Sequence, residues 1–220
     1  GQYQDNGLAR VLTFDQLVAP EESCFFNWSK PFVQLETTRG CFSTCAFCVS
    51  GGEKPVRTLS IDAIRQRLQT IHRHGIQNVR VLDRTFNFNP RRAKELLNLF
   101  LEFHPHIRFH LEIHPALLSE ELKSELQKLP KGLLHLEAGI QSLREPVLEK
   151  CRRLGKLSDV LEGLKFLCSL DNMETHADLI AGLPLHRLNE IFEDILSLAE
   201  YQAGEIQLES LKLLPGTEMR

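Results

Sequence analysis

The sequence predicts an α/β fold, an open, partial (β/α)6 barrel with parallel strands. Three observations predict it. From Pro31 onward, short apolar runs alternate regularly with amphipathic helical stretches joined by short connections, the pattern of successive β-α units in a parallel sheet. Right-handed crossovers curl such a sheet toward a barrel, and six units stop short of the eight that close one. The residues that carry chemistry fall after strands, where α/β barrels build their active sites.

The elements follow in order. Phe32 to Thr37 is a short apolar-rich strand ending at Arg39-Gly40. Ser60 is a good N-cap, and Ile61, Ile64, Leu68 and Ile71 then fall on one helical face up to Gly75. Asn78 to Leu82 is the second strand. Asn89-Pro90 places a cap before Pro at the first helical position, opening a helix with Leu96, Leu97, Phe100 and Leu101. Ile107 to Ile113 is the third strand, and Ser119-Glu120-Glu121 starts a helix running to about Lys128. Leu133 to Ala138 is the fourth strand, followed by two helical pieces, Glu145 to about Arg152 and Ser158 to Cys168. Met173 to Ile180 is the fifth strand. Leu188 to Glu200 is helical, with Ile191, Ile195 and Leu198 at 3–4 spacing, and Glu205 to Leu211 is the sixth strand.

Residues 1–30 lack a clear period and read as a linker or arm, with residues 31–220 as the core domain. The strand-to-loop transition at Leu214-Pro215-Gly216-Thr217 suggests a domain excised from a longer chain. Net charge is −3, with 42% hydrophobic and 25% charged residues, so the bulk charge carries no nucleic-acid footprint. No apolar run reaches the length of a membrane span, and the polar start is not a signal peptide. A cytoplasmic location is expected, where six cysteines point to metal or catalysis before disulfides.

The most informative motif is Cys41-Phe-Ser-Thr-Cys45-Ala-Phe-Cys48, a C-x3-C-x2-C loop after the first strand. Iron–sulfur clusters are normally held by Cys thiolates, usually four. Three leave one iron open. The rival reading is a structural zinc site, completed by Cys24 or a histidine such as His114. Cys151 and Cys168 fall in helical stretches and read as small buried hydrophobes.

With these motifs in place, the sequence resembles the radical S-adenosylmethionine (SAM) superfamily over roughly residues 31–217, with the TIM-like core of six units expected of it. The resemblance implies a 4Fe-4S cluster on Cys41, Cys45 and Cys48, with Phe47 as the usual aromatic before the third Cys. It implies S-adenosyl-L-methionine on the open iron, an external one-electron donor such as flavodoxin or ferredoxin, and oxidoreductase chemistry through a 5′-deoxyadenosyl radical. Where the family often carries Gly-Gly-Glu, this chain has Leu82-Asp83-Arg84-Thr85-Phe86. Asp83 is then the group expected to accept from the SAM ammonium, with Thr85 beside it. The literal Gly51-Gly52-Glu53 lies in the cluster loop and is a decoy. Glu137-Ala-Gly-Ile-Gln141-Ser142 resembles the segment contacting the ribose, through Gln141 and Ser142. Asp178-Leu-Ile180-Ala-Gly182-Leu-Pro184 resembles the adenine side, with Ile180 and Gly182 flanking the ring. Leu213-Leu-Pro-Gly216-Thr matches the sixth-strand ending. The Asp83-Arg-Thr-Phe-Asn87 variant is similar to members with a cobalamin-binding domain, so cobalamin held by a segment upstream of this chain is an added expectation.

His110, Glu112 and His114 alternate onto one strand face. Glu112, and His114 less strongly, are placed in the barrel mouth against SAM or substrate. The alternative is a rim or helix-facing location. Arg91-Arg92 and Arg152-Arg153 read as solvated faces, although either pair would suit an anionic substrate. Phe86 and Phe88 read as core, with cavity lining as the alternative, and His72, His74, His104 and His106 as surface. No residue is assigned a catalytic role, and the substrate is not readable. Two rival functions remain beside a radical SAM enzyme: a tRNA methylthiotransferase-like member, and a non-catalytic iron–sulfur or zinc-binding module.

Overall fold

The computed structural model describes residues 4, 13–50 and 54–220. Gly51-Gly52-Glu53 and most of the first twelve residues lie outside them. Six parallel strands form one sheet in sequence order: β1 Val33–Leu35, β2 Asn78–Val81, β3 Arg108–Ile113, β4 Leu134–Gln141, β5 Glu174–Ala181 and β6 Glu205–Ser210. β1 and β6 stand at opposite edges, so the barrel is open. Six helices connect or follow them: α1 Ile61–Arg73, α2 Pro90–Leu101, α3 Glu120–Lys128, α4 Glu145–Lys150, α5 Leu157–Cys168 and α6 Leu188–Ala199. A two-stranded antiparallel ribbon, Thr38–Arg39 with Arg57–Thr58, is an addition the sequence pattern does not announce.

Local chemistry accounts for the helix starts. The side chains of Ser60, Asn89 and Ser119 accept from the backbone N–H of Ala63, Arg92 and Leu122, at 3.2, 3.1 and 3.2 Å. Each satisfies a donor that the first helical turn leaves unpaired. Apolar residues at 3–4 spacing then face the sheet: Ile64, Leu68 and Ile71 on α1, Leu96, Leu97 and Phe100 on α2, Val160, Leu164 and Leu167 on α5. They meet the alternating strand residues Phe109, Leu111, Leu134, Leu136, Ala138, Ala177 and Leu179 in one core. Phe100 stacks on Phe109 with ring centroids 4.0 Å apart, adding roughly 0.5–1.5 kcal/mol beyond area burial. α5 crosses the turn Pro115–Leu117 at Gly163, where a Cβ would sit 2.2 Å from the Pro115 carbonyl oxygen. Any side chain there forces the helix off the sheet.

Residues from Thr13 toward β1 lie against α1. Phe14 and Glu21 are buried, and Glu21 makes a bidentate pair with Arg67 at 2.8 and 3.0 Å. A cavity of about 930 Å³ lies between this segment and the β1 edge. None of the three loop cysteines lines it.

Because each strand buries one face under helices, the alternate residues share the other face. On β3 these are His110 and Glu112, on β4 His135, Glu137, Gly139 and Gln141, and on β5 His176, Asp178 and Ile180. All strands being parallel, their C-terminal ends open onto one rim.

Candidate active site at the C-terminal rim

The cysteine loop follows β1 at this rim. Its backbone is held in place from across the molecule. Ala46 N–H donates to the Cys151 carbonyl at 2.9 Å, and Arg152 Nε donates to the Thr44 carbonyl at 3.1 Å. Arg153 Nη1 lies 3.9 Å from Cys45 Sγ, and Ser43 Oγ lies 3.2 Å from the same sulfur. The Arg152-Arg153 pair, expected on a solvated face, therefore clamps the loop. Burial raises the Cys41 thiol pKa, and the neighbouring Cys45 and Cys48 push it the same way, while Ser43 and Thr85 oppose them. Three soft donors on one loop, with Arg153 and Ser43 against the Cys45 sulfur, fit an iron–sulfur cluster. Of the candidate fourth ligands, Cys24 is exposed. His114 is 2% exposed, and neither ring nitrogen finds a hydrogen-bond partner. Burial, then the charge of Arg153, lower its pKa to about 3. Cys151 is fully buried in an apolar cluster, as expected, and Cys168 is half-buried.

Asp83 follows β2 and is 1% exposed. Its Oδ1 accepts from the backbone N–H groups of Thr37 and Thr38, both at 2.8 Å, and its Oδ2 accepts from the Thr37 hydroxyl. The carboxylate expected to receive the SAM amine thus ties the end of β1 to the end of β2. Burial raises its pKa against these bonds. Thr85 Oγ1 donates to the Arg84 carbonyl at 2.6 Å and stands beside Cys41. Phe86 is core, and Phe88 stacks on Phe42 with centroids 6.5 Å apart.

β4 runs beyond its expected end, through Gln141, with a register irregularity against β5 between Gly139 and Gln141. Gln141 takes φ of 75°, left-handed for a non-glycine residue, which re-aims the chain at the rim. Ser142 Oγ, expected at the ribose, donates to buried Asp194 at 3.2 Å. Asp194 also accepts from Leu143 N–H at 2.9 Å and Arg144 Nε at 2.8 Å, so it fixes the β4–α4 turn. At the end of β5, Gly182 has φ of 89°. Phe47 and Ile180 pack in one small apolar cluster with Val147, Cys151, Leu183 and Leu211. Phe47, expected as the aromatic before the third cysteine, and Ile180, expected beside the adenine, are therefore brought together, next to Cys48.

Below the rim, Glu112 lies 3.9 Å from Arg84. Burial, then the charge of Glu137, raise its pKa to about 7. Deeper on the same face, His110 Nε2 lies 2.7 Å from Glu137 Oε2, and His135 Nε2 lies 2.8 Å from His176 Nδ1. His176 Nε2 is 3.3 Å from Asp178 Oδ1 and 3.5 Å from Glu137 Oε2. Burial would lower His176, but the two carboxylates beside it outweigh that and bring its pKa to about 9. Burial, then Glu137's charge, hold Asp178 near 6 against the pull of His176, whereas Glu137 itself is lowered, its histidine neighbours outweighing burial. Sequence reasoning missed His135 and His176. The signal is nonetheless present: His110-Leu-Glu112, His135-Leu-Glu137 and His176-Ala-Asp178 repeat one His-x-acid pattern on three successive strands.

Comparisons with known proteins agree with this architecture. The family model described as the radical SAM superfamily matches residues 35–198. A tRNA-2-methylthio-N(6)-dimethylallyladenosine synthase of Herpetosiphon aurantiacus is 24% identical over 87% of this chain and 46% of its own length. The cobalamin-dependent radical SAM methyltransferase TokK of Streptomyces tokunonensis is 23% identical over 84% of this chain and 28% of its own. The chain thus spans less than half the length of these curated relatives. Among solved structures, the radical S-adenosylmethionine methyltransferase TsrM from Kitasatospora setae, with cobalamin and a 4Fe-4S cluster bound, superposes with a TM-score of 0.72. It shares 18% identity over 86% of this chain and 38% of that chain. The cobalamin-dependent S-adenosylmethionine radical enzyme OxsB superposes with a TM-score of 0.60, at 16% identity over 84% of this chain and 34% of that chain. The fold is the same in both.

Proposed function

The chain belongs to the radical SAM superfamily, and on that premise we propose that Cys41, Cys45 and Cys48 hold three irons of a 4Fe-4S cluster and that SAM binds at the fourth. When bound, the pair supplies one-electron cleavage of SAM to methionine and a 5′-deoxyadenosyl radical that abstracts hydrogen from the substrate. The observation that carries this reading is the clamped three-thiol loop at the rim. Arg153 and Ser43 offset sulfur charge at Cys45, and Phe47, Ile180 and Leu211 give a flat adenine apolar walls. Gly182 leaves backbone open beside them. Gln141, whose side chain stays half-buried at the rim, is the polar contact for the ribose. Asp83 and Ser142, engaged with Thr37-Thr38 and Asp194, serve by holding backbone rather than by touching SAM. Glu112, with Arg84 beside it, faces substrate from below. An external one-electron donor is required of this chemistry.

The relatives supply two readings of the outcome. Likeness to TokK supports cobalamin-dependent methyl transfer. Likeness to the methylthio-adenosine synthase supports methylthio transfer to a tRNA base, for which the net charge of −3 gives this chain no bulk basic footprint. Anaerobic reconstitution followed by SAM and dithionite tests the core claim: 5′-deoxyadenosine is expected. Zinc in place of iron, or no cleavage by an intact cluster, overturns it. Cys45→Ala is expected to abolish iron incorporation, and Cys168→Ala to leave it unchanged.

A further inference from the structure

We propose that His110, Glu137 and His176 form a second metal site, for a divalent transition cation such as zinc, on the interior face below the rim. Among the described residues, this is the group of histidine, cysteine and carboxylate side chains whose donor atoms all lie within 4.8 Å of one another. The three donors come from three adjacent strands. Register brings them together. His110 stands opposite His135, but Glu137 stands opposite His176, so the β5 copy of the His-x-acid pattern is displaced by one row. That displacement aims His176 at Glu137.

Four further features point to a cation rather than to a closed hydrogen-bond network. First, His176 is 5% exposed, and its Nε2 has no aligned hydrogen-bond partner despite two carboxylates within 3.5 Å. Second, Asp178 Oδ1, 3.3 Å from that nitrogen, is likewise buried without an aligned partner. Buried polar atoms left without aligned partners are costly, and a cation that displaces the His176 Nε2 proton and sits between that nitrogen and Glu137, with Asp178 beside it, offsets that cost. Third, the Glu137 Oε2 to His176 Nε2 separation of 3.5 Å is close to the roughly 3.3–3.5 Å between ligands of a tetrahedral ion with bonds near 2.0–2.2 Å. The 2.7 Å between Glu137 and His110 needs only a small side-chain rotation to match. Fourth, His176 Nδ1 is 2.8 Å from His135 Nε2. An outer hydrogen bond of this kind fixes the ring and directs the other nitrogen, Nε2, at the metal. Two imidazoles and a carboxylate suit zinc, iron(II) or manganese(II) rather than a soft cation or calcium. Three protein donors leave positions open to water or to a substrate group. His176 precedes Ile180 by four residues, roughly 13 Å of strand, so this site is separate from the three thiols.

The test uses the full chain with its iron–sulfur cluster reconstituted, so that the thiols are occupied. Zinc is added, excess is removed by desalting, and zinc and iron are counted together by mass spectrometry. About one zinc per chain is expected with iron unchanged. The double variant His110→Ala, His176→Ala is expected to retain none, at the same iron content. Parent protein that retains no zinc overturns the proposal, as does zinc that persists in the double variant or enters only as iron leaves. Should the double variant lose its circular dichroism, Glu137→Gln and His135→Gln, which nearly preserve volume, decide instead. His135→Gln is expected to weaken zinc by about 10–100-fold, measured by competition with a chromophoric chelator, and Glu137→Gln by more. Unchanged affinity in both overturns the site.

Discussion

A carboxylate buried as deeply as Asp83 needs donors, and Thr37 and Thr38 supply three. Asp83→Ala leaves them facing an apolar gap, at a cost of about 2–4 kcal/mol. Asp83→Asn keeps an oxygen for the two backbone N–H groups and lets its amide donate to the Thr37 hydroxyl, so its expected cost is at most about 1 kcal/mol. Urea unfolding of both variants checks this, and SAM affinity of the Asn variant should match the parent. A large affinity loss with unchanged stability restores a direct amine contact. His114 presents the opposite case, a buried base without partners. Its folded pKa of about 3 lies below its ordinary value of 6.5, so the unfolded chain binds the extra proton between those limits. The stability this residue contributes is full above pH 6.5 and falls as pH drops toward 3. Lowering the pH to 5 should therefore cost about 2 kcal/mol through this group alone. His114→Phe should flatten that part of the stability profile relative to the parent. An unchanged slope would mean the imidazole ionises in the fold.

Between elements, the decisive contact is the turn after α4 against the cysteine loop. The irregularity of β4 at Gly139–Gln141 interrupts the ladder to β5, and Arg153 Nη2 donates to the Gly139 carbonyl at 2.7 Å. The same guanidinium reaches Cys45, so one residue couples the strand irregularity to the cluster loop. Lysine has a single nitrogen head and cannot span both acceptors. Arg153→Ala should cost about 1–3 kcal/mol in stability and speed iron loss to a chelator several-fold, with Arg153→Lys intermediate. Equal rates in all three would leave the clamp without a role in holding the cluster. Nothing local in the sequence announces this contact. Arg152-Arg153 reads as a solvated face, and its partners in the cysteine loop lie 108 residues earlier. The same holds for Asp83, whose partners sit 46 and 45 residues away.

At the scale of the whole molecule, the β-α alternation was legible because each strand and helix announces itself through its own period. The rim was legible because parallel strands share one open end. Register was not, and register is what separates three isolated His-x-acid patterns from one converging cluster. Register also grades stability across the sheet. β4 is paired on both sides from His135 to Ala138 and alternates buried with half-buried residues, whereas β6 is paired only to β5 and holds no buried residue. The neighbouring α6 leaves Leu188, Phe192 and Leu196 exposed. Local opening follows buried apolar contact rather than hydrogen-bond count, so the molecule should open from the β6 edge inward. Native-state hydrogen exchange of the 220-residue chain is then expected to protect Leu134 to Ala138 more than Ile206 to Glu209, by about a hundredfold or greater, near 3 kcal/mol of opening free energy. Binding zinc at His110, Glu137 and His176 should raise protection on β3, β4 and β5 and leave β6 as it was, because the ion binds only the state in which those three strands hold register. Uniform protection from β3 to β6 would instead make the sheet one cooperative unit, with the open edge as firmly held as its centre.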